Sequence, residues 1–94
     1  MLLAIDVGNT NIHLGVFEDK NLLCNIRLST DLHRLQDEYT ILLMSALSIK
    51  GIDSKAVNGV SICSVVPPIT TVINQVCIEQ FKTTPLIVGT GVKT

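Results

Sequence analysis

The spacing of the hydrophobic residues first changes from a strand pattern to a helix pattern close to Gln36. Before that point the apolar residues form three short runs separated by polar turns, and the second and third runs alternate with polar residues as β-strands do. In the third run one predicted face consists of Leu22, Cys24, Ile26 and Leu28. Later apolar residues recur every three or four positions, as in an amphipathic helix. This change predicts a three-stranded antiparallel meander, followed by alternating helices and strands.

The first helix is predicted to end at Lys50 and Gly51, where a cation and a C-terminal glycine are expected. Asp37 and Glu38 lie in its first turn and suit the positive end of the helix dipole. We interpret these two acids as surface residues and not as a catalytic pair. A fourth strand is predicted over residues 57–66.

A second helix is predicted to open at Pro67-Pro68, because proline is tolerated in the first turn of a helix. Ser64 precedes it and is interpreted as a residue that satisfies the helix N-terminus. A short fifth strand is predicted over residues 86–88. The first strand, residues 2–8, does not alternate, which predicts a central position covered on both faces. The order β-β-β-α-β-α-β indicates an α/β fold, a mixed five-stranded sheet with helices on its faces.

Composition limits both size and partners. The chain has 94 residues, 47% of them hydrophobic, so it is one small domain or part of a larger one, and some apolar surface is expected to be covered by further sequence or a partner. The formal net charge is −1 and the seven basic residues are scattered, which argues against nucleic acid as the main ligand. No apolar run approaches the roughly 20 residues needed to span a bilayer.

The cysteines and the amino-terminal residues indicate a cytoplasmic protein. The three cysteines are far apart and form no metal-ligand spacing with His13 or His33, so buried free thiols in a reducing compartment are expected. The opening run Met1-Leu2-Leu3-Ala4-Ile5 is interrupted by Asp6 and lacks a basic leader, unlike a signal peptide. We therefore expect no membrane association.

The segment Asp6-Val7-Gly8-Asn9-Thr10, directly behind the first apolar run, has two interpretations. One is a β-hairpin turn, for which glycine and asparagine are the usual residues. The other is a site for phosphate and hydrated Mg²⁺. Gly8 lets the backbone approach a phosphate, Asn9 and Thr10 supply donors, and Asp6 supplies an oxygen to the metal. An acidic residue at the end of an apolar strand favours the second interpretation, since an unpaired buried carboxylate is costly.

The element order and this turn resemble the ribonuclease-H-like half-domain of the acetate kinase/hexokinase/Hsp70/actin superfamily. Within that superfamily the chain most resembles type III pantothenate kinase. The motifs that carry this resemblance, in order and spacing, are Leu3 to Ile12, Asp37-Glu38-Tyr39, Ser64-Val65-Val66-Pro67 and Gly89-Thr90-Gly91-Val92-Lys93-Thr94.

The resemblance implies an enzyme that transfers the γ-phosphoryl group of ATP to pantothenate, forming 4′-phosphopantothenate in the first step of coenzyme A biosynthesis. It implies ATP, Mg²⁺ and a monovalent cation (K⁺ or NH₄⁺) as cofactors, and a homodimer. Residues 1–94 correspond to the amino-terminal, nucleotide-phosphate-binding half-domain. The second half-domain and the catalytic base are expected after Thr94, so this chain is expected to be inactive on its own.

Site residues follow from the same resemblance. Asp6 corresponds to the acidic residue that orients Mg²⁺ and the phosphates. The ATP-contacting stretch comprises Asp6, Val7, Gly8, Asn9, Thr10, Asn11, Ile12 and His13. Gly91 and Lys93 are candidates for a position near the substrate. The Gly91-Val92-Lys93-Thr94 ending is not a Walker motif, because valine stands where that motif needs glycine.

Two other functions remain open. One is a non-catalytic accessory or transcriptional regulatory protein of the same fold, which saturable binding of ATP and Mg²⁺ would distinguish from a kinase. The other is a different enzyme of the superfamily, such as a sugar or acetate kinase. A metal-dependent nuclease is a poor fit, because the second, third and fourth strands supply no carboxylates at positions that match Asp6.

Overall fold

The fold is built on one mixed sheet of five strands, in the order β3-β2-β1-β4-β5. The structure is a computed structural model and describes residues 1–89. Its elements are β1 (Leu2–Val7), β2 (Asn11–Glu18), β3 (Asn21–Ser29), α1 (Gln36–Ile49), β4 (Gly59–Ser64), α2 (Pro67–Phe81) and β5 (Leu86–Gly89), with a turn of 3-10 helix at Ser54–Ala56. The mixed sheet and the predicted order of strands and helices are confirmed.

Strand β1 is the strand at which the pairing in the sheet changes from antiparallel to parallel. It pairs antiparallel with β2, which pairs antiparallel with β3, so the predicted meander is confirmed. On its other side β1 pairs parallel with β4, which pairs parallel with β5. The parallel strands are connected through helices, as parallel pairs require.

The core lies on one face of the sheet. Alternate residues of β1 point into it, and their partners on β2 and β4 do the same. Both helices add buried side chains to this same cluster, including Tyr39 and Leu43 of α1 and Ile73 and Val76 of α2. The helical spacing seen in the sequence therefore marks the residues that cover the sheet.

The other face, which we call the open face, carries Leu2, Ala4 and Asp6 of β1 and the residues paired with them. Leu2 is 43% exposed and Asp6 is also exposed. The prediction that β1 is covered on both faces is therefore wrong for the part of the chain that the structure describes. The strand lacks alternation because Leu2 and Ala4 are apolar residues on an exposed surface, not because that surface is buried.

A register shift in the β2–β3 pair changes the predicted face of one residue. Cys24 pairs with Val16, but Leu22, not Leu23, pairs with Phe17. An added Cβ at Gly15 would meet both the Phe17 and the Leu22 side chains, so these two share the open face. Leu22 was predicted to share the face of Cys24, and the shift moves it to the opposite side.

The helix boundaries follow the expected chemistry. The Leu35 N–H donates to Oε1 of Glu38 (2.9 Å), which satisfies one donor at the start of α1. At its end Gly51 adopts φ +74°, a left-handed conformation that suits glycine. Within residues 1–89 no helix is both long enough and apolar enough to cross a membrane.

Strand β4 is shorter than predicted at both ends. The N–H of Val57 donates to the Ser54 carbonyl (3.2 Å), which closes the 3-10 turn instead of extending the sheet. At the other end the N–H of Val66 donates to Oγ of Ser64 (3.0 Å). Both residues at the margins of the predicted strand thus use their backbone donors locally.

Candidate functional site

Four strands end at the same edge of the sheet. The parallel strands β1 and β4 both end there, and β5 ends beside them, with Gly89 paired to Ser64. The antiparallel β3 ends at Ser29, opposite Asn11, which brings the connection after β3 to the same edge. In open α/β sheets, ligands bind outside the carboxyl ends of strands where the connections diverge.

The turn between β1 and β2, residues 8–10, is closed by one backbone hydrogen bond and is held beside the end of β4 by another. The Gly8 N–H donates to the Asn11 carbonyl (2.9 Å), and the Val65 N–H donates to the Val7 carbonyl just before the turn (3.0 Å). Asn9 and Thr10 are exposed, and their N–H groups donate to no acceptor within residues 1–89. The turn is thus the predicted β-hairpin, and it also presents backbone donors suited to an anion.

Position 8 favours glycine because the backbone of Asn11 passes close to it within this turn. A Cβ added at Gly8 would lie 3.2 Å from the backbone oxygen of Asn11, which is tighter than ordinary packing. That oxygen accepts the Gly8 N–H, so it cannot move without disturbing the closure of the turn. Any larger residue therefore strains the same hydrogen bond that shapes the site.

Asp6 lies in a row of polar residues across the open face. In register it stands between His13 of β2 and Cys63 of β4, and Arg27 of β3 pairs with His13 on the far side. All four residues are exposed. The Asp6 carboxylate is thus available to a ligand from solvent, and the free donors of the turn follow it by three and four residues in the chain.

A single carboxylate of this kind fits Mg²⁺ but not a metal held by protein alone. The described residues contain no group of three or more His, Cys, Asp or Glu side chains that could hold a metal ion. Mg²⁺ commonly keeps several waters and binds through one or two carboxylates together with substrate phosphates. Asp6 has the chemistry that such a role requires, and it stands close in sequence to the donor-bearing turn.

Not every residue of the predicted ATP-contacting stretch can contribute a side chain. Val7 and Ile12 are fully buried and belong to the core, so only their backbone could reach a ligand. The side chains of Asn9, Thr10 and Asn11 are exposed around the turn. His13 is exposed on the open face opposite Asp6, which brings the two side chains to the same surface.

The N-terminus of α2 reaches this edge but has no free donors for an anion. Pro67 and Pro68 have no N–H, and the Ile69 N–H donates to the Val66 carbonyl (3.0 Å). The remaining donor, the Val66 N–H, is taken by Ser64 Oγ, which is buried. Ser64 therefore satisfies the start of α2, as predicted, and the β1–β2 turn is the donor-bearing element at this edge.

An open depression of about 520 Å³ lies at the opposite end of the sheet. Its lining consists of Met1, Leu2, Phe17, Glu18, Asp19 and Asn58. Its charged groups are the Glu18 and Asp19 carboxylates and the Met1 ammonium, so carboxylates outnumber cations and disfavour phosphate groups. The candidates Gly91 and Lys93 lie outside the described residues.

The cysteines differ in exposure more than the sequence suggested. Cys63 is exposed on the open face, Cys24 is half-buried, and Cys77 is buried in the core. The expectation of buried thiols is thus confirmed for Cys77 and wrong for Cys63, which lies on the uncovered side of β4. Burial raises the pKa of the Cys77 thiol from 9.0 to about 12.

Two residues near the turn were missed as site residues. Arg27 shares the row of Asp6, and the alternation of β3 could have placed it on that face. Thr30 contacts the turn itself: its Oγ1 donates to the Gly8 carbonyl (2.7 Å). No local motif marks Thr30, because its role arises from the pairing of β2 with β3.

The structural comparison supports the predicted fold. A ROK hexokinase from Thermus thermophilus superposes with a TM-score of 0.67 over 94% of this chain and 33% of the hexokinase, at 16% identity. At that identity the similarity concerns the fold alone. The sheet order and both helices thus belong to a fold shared with sugar kinases, in agreement with the predicted ribonuclease-H-like α/β architecture.

The sequence comparisons are more specific. Residues 2–94 match the profile of the type III pantothenate kinase family. A type III pantothenate kinase from Dehalococcoides mccartyi is 46% identical over 98% of this chain and 35% of its own length. One from Moorella thermoacetica is 45% identical over 100% of this chain and 37% of its own length. The chain thus spans about a third of these relatives, and it belongs to the type III pantothenate kinase family.

Proposed function

We propose that this chain is the ATP-phosphate-binding part of a pantothenate kinase. The observation that carries the proposal is the exposed β1–β2 turn. Its unbonded Asn9 and Thr10 N–H groups lie three and four residues after Asp6, whose carboxylate is exposed. Membership of the family supports pantothenate as the acceptor. The turn would hold the β- and γ-phosphates of ATP.

In the proposed reaction a hydroxyl oxygen of pantothenate attacks the γ-phosphorus of ATP. The bond from that phosphorus to the β,γ-bridging oxygen breaks, and the products are 4′-phosphopantothenate and ADP. The hydroxyl proton passes to a base, which we place in sequence outside these 94 residues. Phosphoryl transfer depends mainly on positioning and on neutralisation of charge, which are the tasks that a rigid donor-bearing turn can perform.

Asp6 would orient Mg²⁺ bound to the phosphates, partly through water. Mg²⁺ supplies charge neutralisation at the phosphate oxygens when bound. Asp6 is not proposed as the base. The proposal includes a monovalent cation (K⁺ or NH₄⁺) and a homodimer of complete subunits, both of which rest on the family resemblance. It also includes a cytoplasmic location, which rests on the spacing of the cysteines. Residues 1–94 form one half-domain in this proposal, and a second half-domain completes the cleft.

The proposal is tested by calorimetric titration of the chain with Mg²⁺–ATP and with Mg²⁺–AMP. We expect saturable binding of ATP and none of AMP at the same concentration, because the turn binds the terminal phosphates. The variant Asp6→Asn should bind Mg²⁺–ATP about tenfold more weakly, through loss of a charged contact. Its thermal stability should be unchanged, because Asp6 is exposed.

The matched control is Asp37→Asn, which removes another exposed carboxylate on a different element. It should leave the affinity unchanged. Equal affinity for ATP in Asp6→Asn and in the unmodified chain would contradict the assignment of Asp6. Absence of saturable ATP binding would instead favour the non-catalytic accessory function.

A further inference from the structure

Thr30, in the connection between β3 and α1, is hydrogen-bonded to the β1–β2 turn, which we call the phosphate turn because of its proposed function. Its backbone N–H donates to the Thr10 carbonyl (2.9 Å). Its Oγ1 donates to the Gly8 carbonyl (2.7 Å). Thr30 therefore donates hydrogen bonds to the carbonyl groups of both the first and the last residue of the turn, Gly8 and Thr10.

The bond to the Gly8 carbonyl controls the direction of one free donor, the Asn9 N–H. The carbonyl of Gly8 and the N–H of Asn9 belong to the same peptide group, which is planar and trans. In such a group the N–H points away from the carbonyl. Because Thr30 Oγ1 fixes the direction of the Gly8 carbonyl, it also fixes the Asn9 N–H on the opposite side, away from Thr30. Rotation of this peptide would break the hydrogen bond and misdirect the donor.

Thr30 is itself held from both sides. After it, the Tyr39 hydroxyl donates to the Asp31 carbonyl (2.8 Å) and accepts the Asp31 N–H (3.4 Å). Before it, Arg34 donates to the carbonyl (2.7 Å) and to Oγ (2.8 Å) of Ser29. The Arg34 guanidinium also lies over the Tyr39 ring, 5.4 Å from its centroid.

Tyr39 connects this arrangement to the core. Its side chain is only 1% exposed and packs in the same cluster as the buried face of the sheet. Its hydroxyl reaches out of that cluster to the backbone of Asp31, next to Thr30. A rigid side chain anchored in the core thus supports the residue that orients the turn.

We propose that Thr30 is a positioning residue for the phosphate turn, and that the Tyr39 hydroxyl holds Thr30 in place. Thr30 touches no substrate in this account; it acts by fixing the peptide group whose N–H meets a phosphate. This inference rests on the proposed function of the turn. The inference adds to the site a residue outside the β1–β2 turn, and it predicts that Oγ1 of Thr30 is the atom needed to orient the Asn9 N–H.

The test compares variants that differ at one atom or group. Thr30→Val keeps the shape of the side chain and removes the Oγ1 donor, whereas Thr30→Ser restores it. Tyr39→Phe removes the supporting hydroxyl. The control Thr40→Val removes a similar half-buried hydroxyl, which donates only to the Gln36 carbonyl within α1 (3.1 Å).

Two quantities are measured on each folded variant, well below its melting temperature. The first is the Mg²⁺–ATP affinity. We expect about a tenfold loss in Thr30→Val, recovery in Thr30→Ser, about a threefold loss in Tyr39→Phe and no change in Thr40→Val. The second, measured without ligand, is the hydrogen-exchange rate of the Gly8 amide, which should rise in Thr30→Val and return in Thr30→Ser.

The outcomes separate this inference from the proposed function. If the unmodified chain binds ATP and Thr30→Val binds it equally well, the positioning role is wrong. If the unmodified chain binds no ATP, the proposed function fails, and the exchange rate of Gly8 still decides whether Thr30 fixes the turn. Should Thr30→Val not fold, Tyr39→Phe decides, and unchanged affinity in that variant contradicts the proposal.

Discussion

At the scale of single residues, the site depends on which face of a strand a side chain occupies. Asp6 lies between Ile5 and Val7, both buried, yet its own side chain is exposed because successive residues of a strand point to opposite faces. A carboxylate can therefore stand in an apolar strand without being buried. The backbone of the next residues then turns and presents its donors at the same edge.

Gly8→Ala tests the tight approach within the turn. The new Cβ would lie 3.2 Å from the Asn11 carbonyl oxygen, and relief requires a shift of that oxygen. We expect a loss of about 1 kcal/mol in the free energy of unfolding and a weaker Mg²⁺–ATP affinity. The measurements are urea denaturation and calorimetric titration.

The control for this variant is Gly59→Ala, whose Cβ would meet only the end of the Leu2 side chain at 3.4 Å. It should leave ATP affinity unchanged. If Gly8→Ala binds ATP as well as Gly59→Ala does, the geometry of the turn is not what holds the phosphates.

At the scale of elements, the junction between β4 and α2 is a structural feature beside the site. Ser64 is 6% exposed, and its Oγ accepts the Val66 N–H. Pro67 and Pro68 then begin α2 without needing acceptors. The four positions that begin this helix thus have no free N–H donor, so an anion at this edge would find its donors in the β1–β2 turn.

Ser64→Ala is expected to lower stability without changing ATP affinity. It leaves the Val66 N–H without its partner in a buried position, which costs about 1–2 kcal/mol. Urea denaturation measures the first effect and calorimetric titration the second, with the exposed Ser48→Ala as control. A variant of normal stability that had lost ATP binding would instead place Ser64 in the site.

Much of the element order could be predicted from hydrophobic spacing. Both helices were predicted close to their observed bounds, because Pro67 and Gly51 mark ends that few other residues can make. The register shift at Val16 and Phe17 was not predicted. In the sequence, apolar and polar residues alternate regularly along β2 and along β3, so neither strand alone shows the shift. Register depends on how two strands pair and on the turn that joins them, so the alternation within one strand does not reveal a shift of this kind.

The candidate site could be predicted only in part for the same reason. Asp6 and Gly8 are conspicuous locally, as an acid and a glycine directly behind an apolar run. Thr30 is distant in sequence and belongs to an ordinary polar connection. Its bonds to Gly8 and Thr10 exist because β3 is folded back beside β2, so they follow from the assembled sheet.

At the scale of the whole molecule, one face of the sheet is packed and the other is open. The packed face contains the buried thiol of Cys77, whereas the open face carries Asp6 and the exposed thiol of Cys63. The described part of the chain therefore places its reactive groups on one side and its stabilising contacts on the other. This division separates variants that change binding from variants that change stability.

The buried thiol predicts a specific dependence of stability on pH. Cys77 has a folded pKa of about 12 against 9.0 when unperturbed, because burial disfavours the thiolate. Its contribution to stability is fully present below pH 9.0 and is lost as the pH rises towards 12. The unfolded state alone gains the thiolate in that range.

The comparison is between the unmodified chain and Cys77→Ala, with urea denaturation at pH 7.5 and at pH 10. The stability difference between the two should shrink by about 1 kcal/mol at the higher pH. A difference that does not change with pH would show that the thiol at position 77 is accessible to solvent.

Binding of the terminal phosphates of ATP by the β1–β2 turn is the step on which the proposed function depends. The most direct measurement is a titration of the ¹⁵N-labelled chain with Mg²⁺–ATP, followed through its backbone amide NMR signals. We expect the signals of the Asn9 and Thr10 amides to shift most, while the signal of Asn58, at the opposite end of the sheet, does not shift. Unmoved Asn9 and Thr10 signals at saturating ATP, or the largest shifts around Asn58, would contradict it.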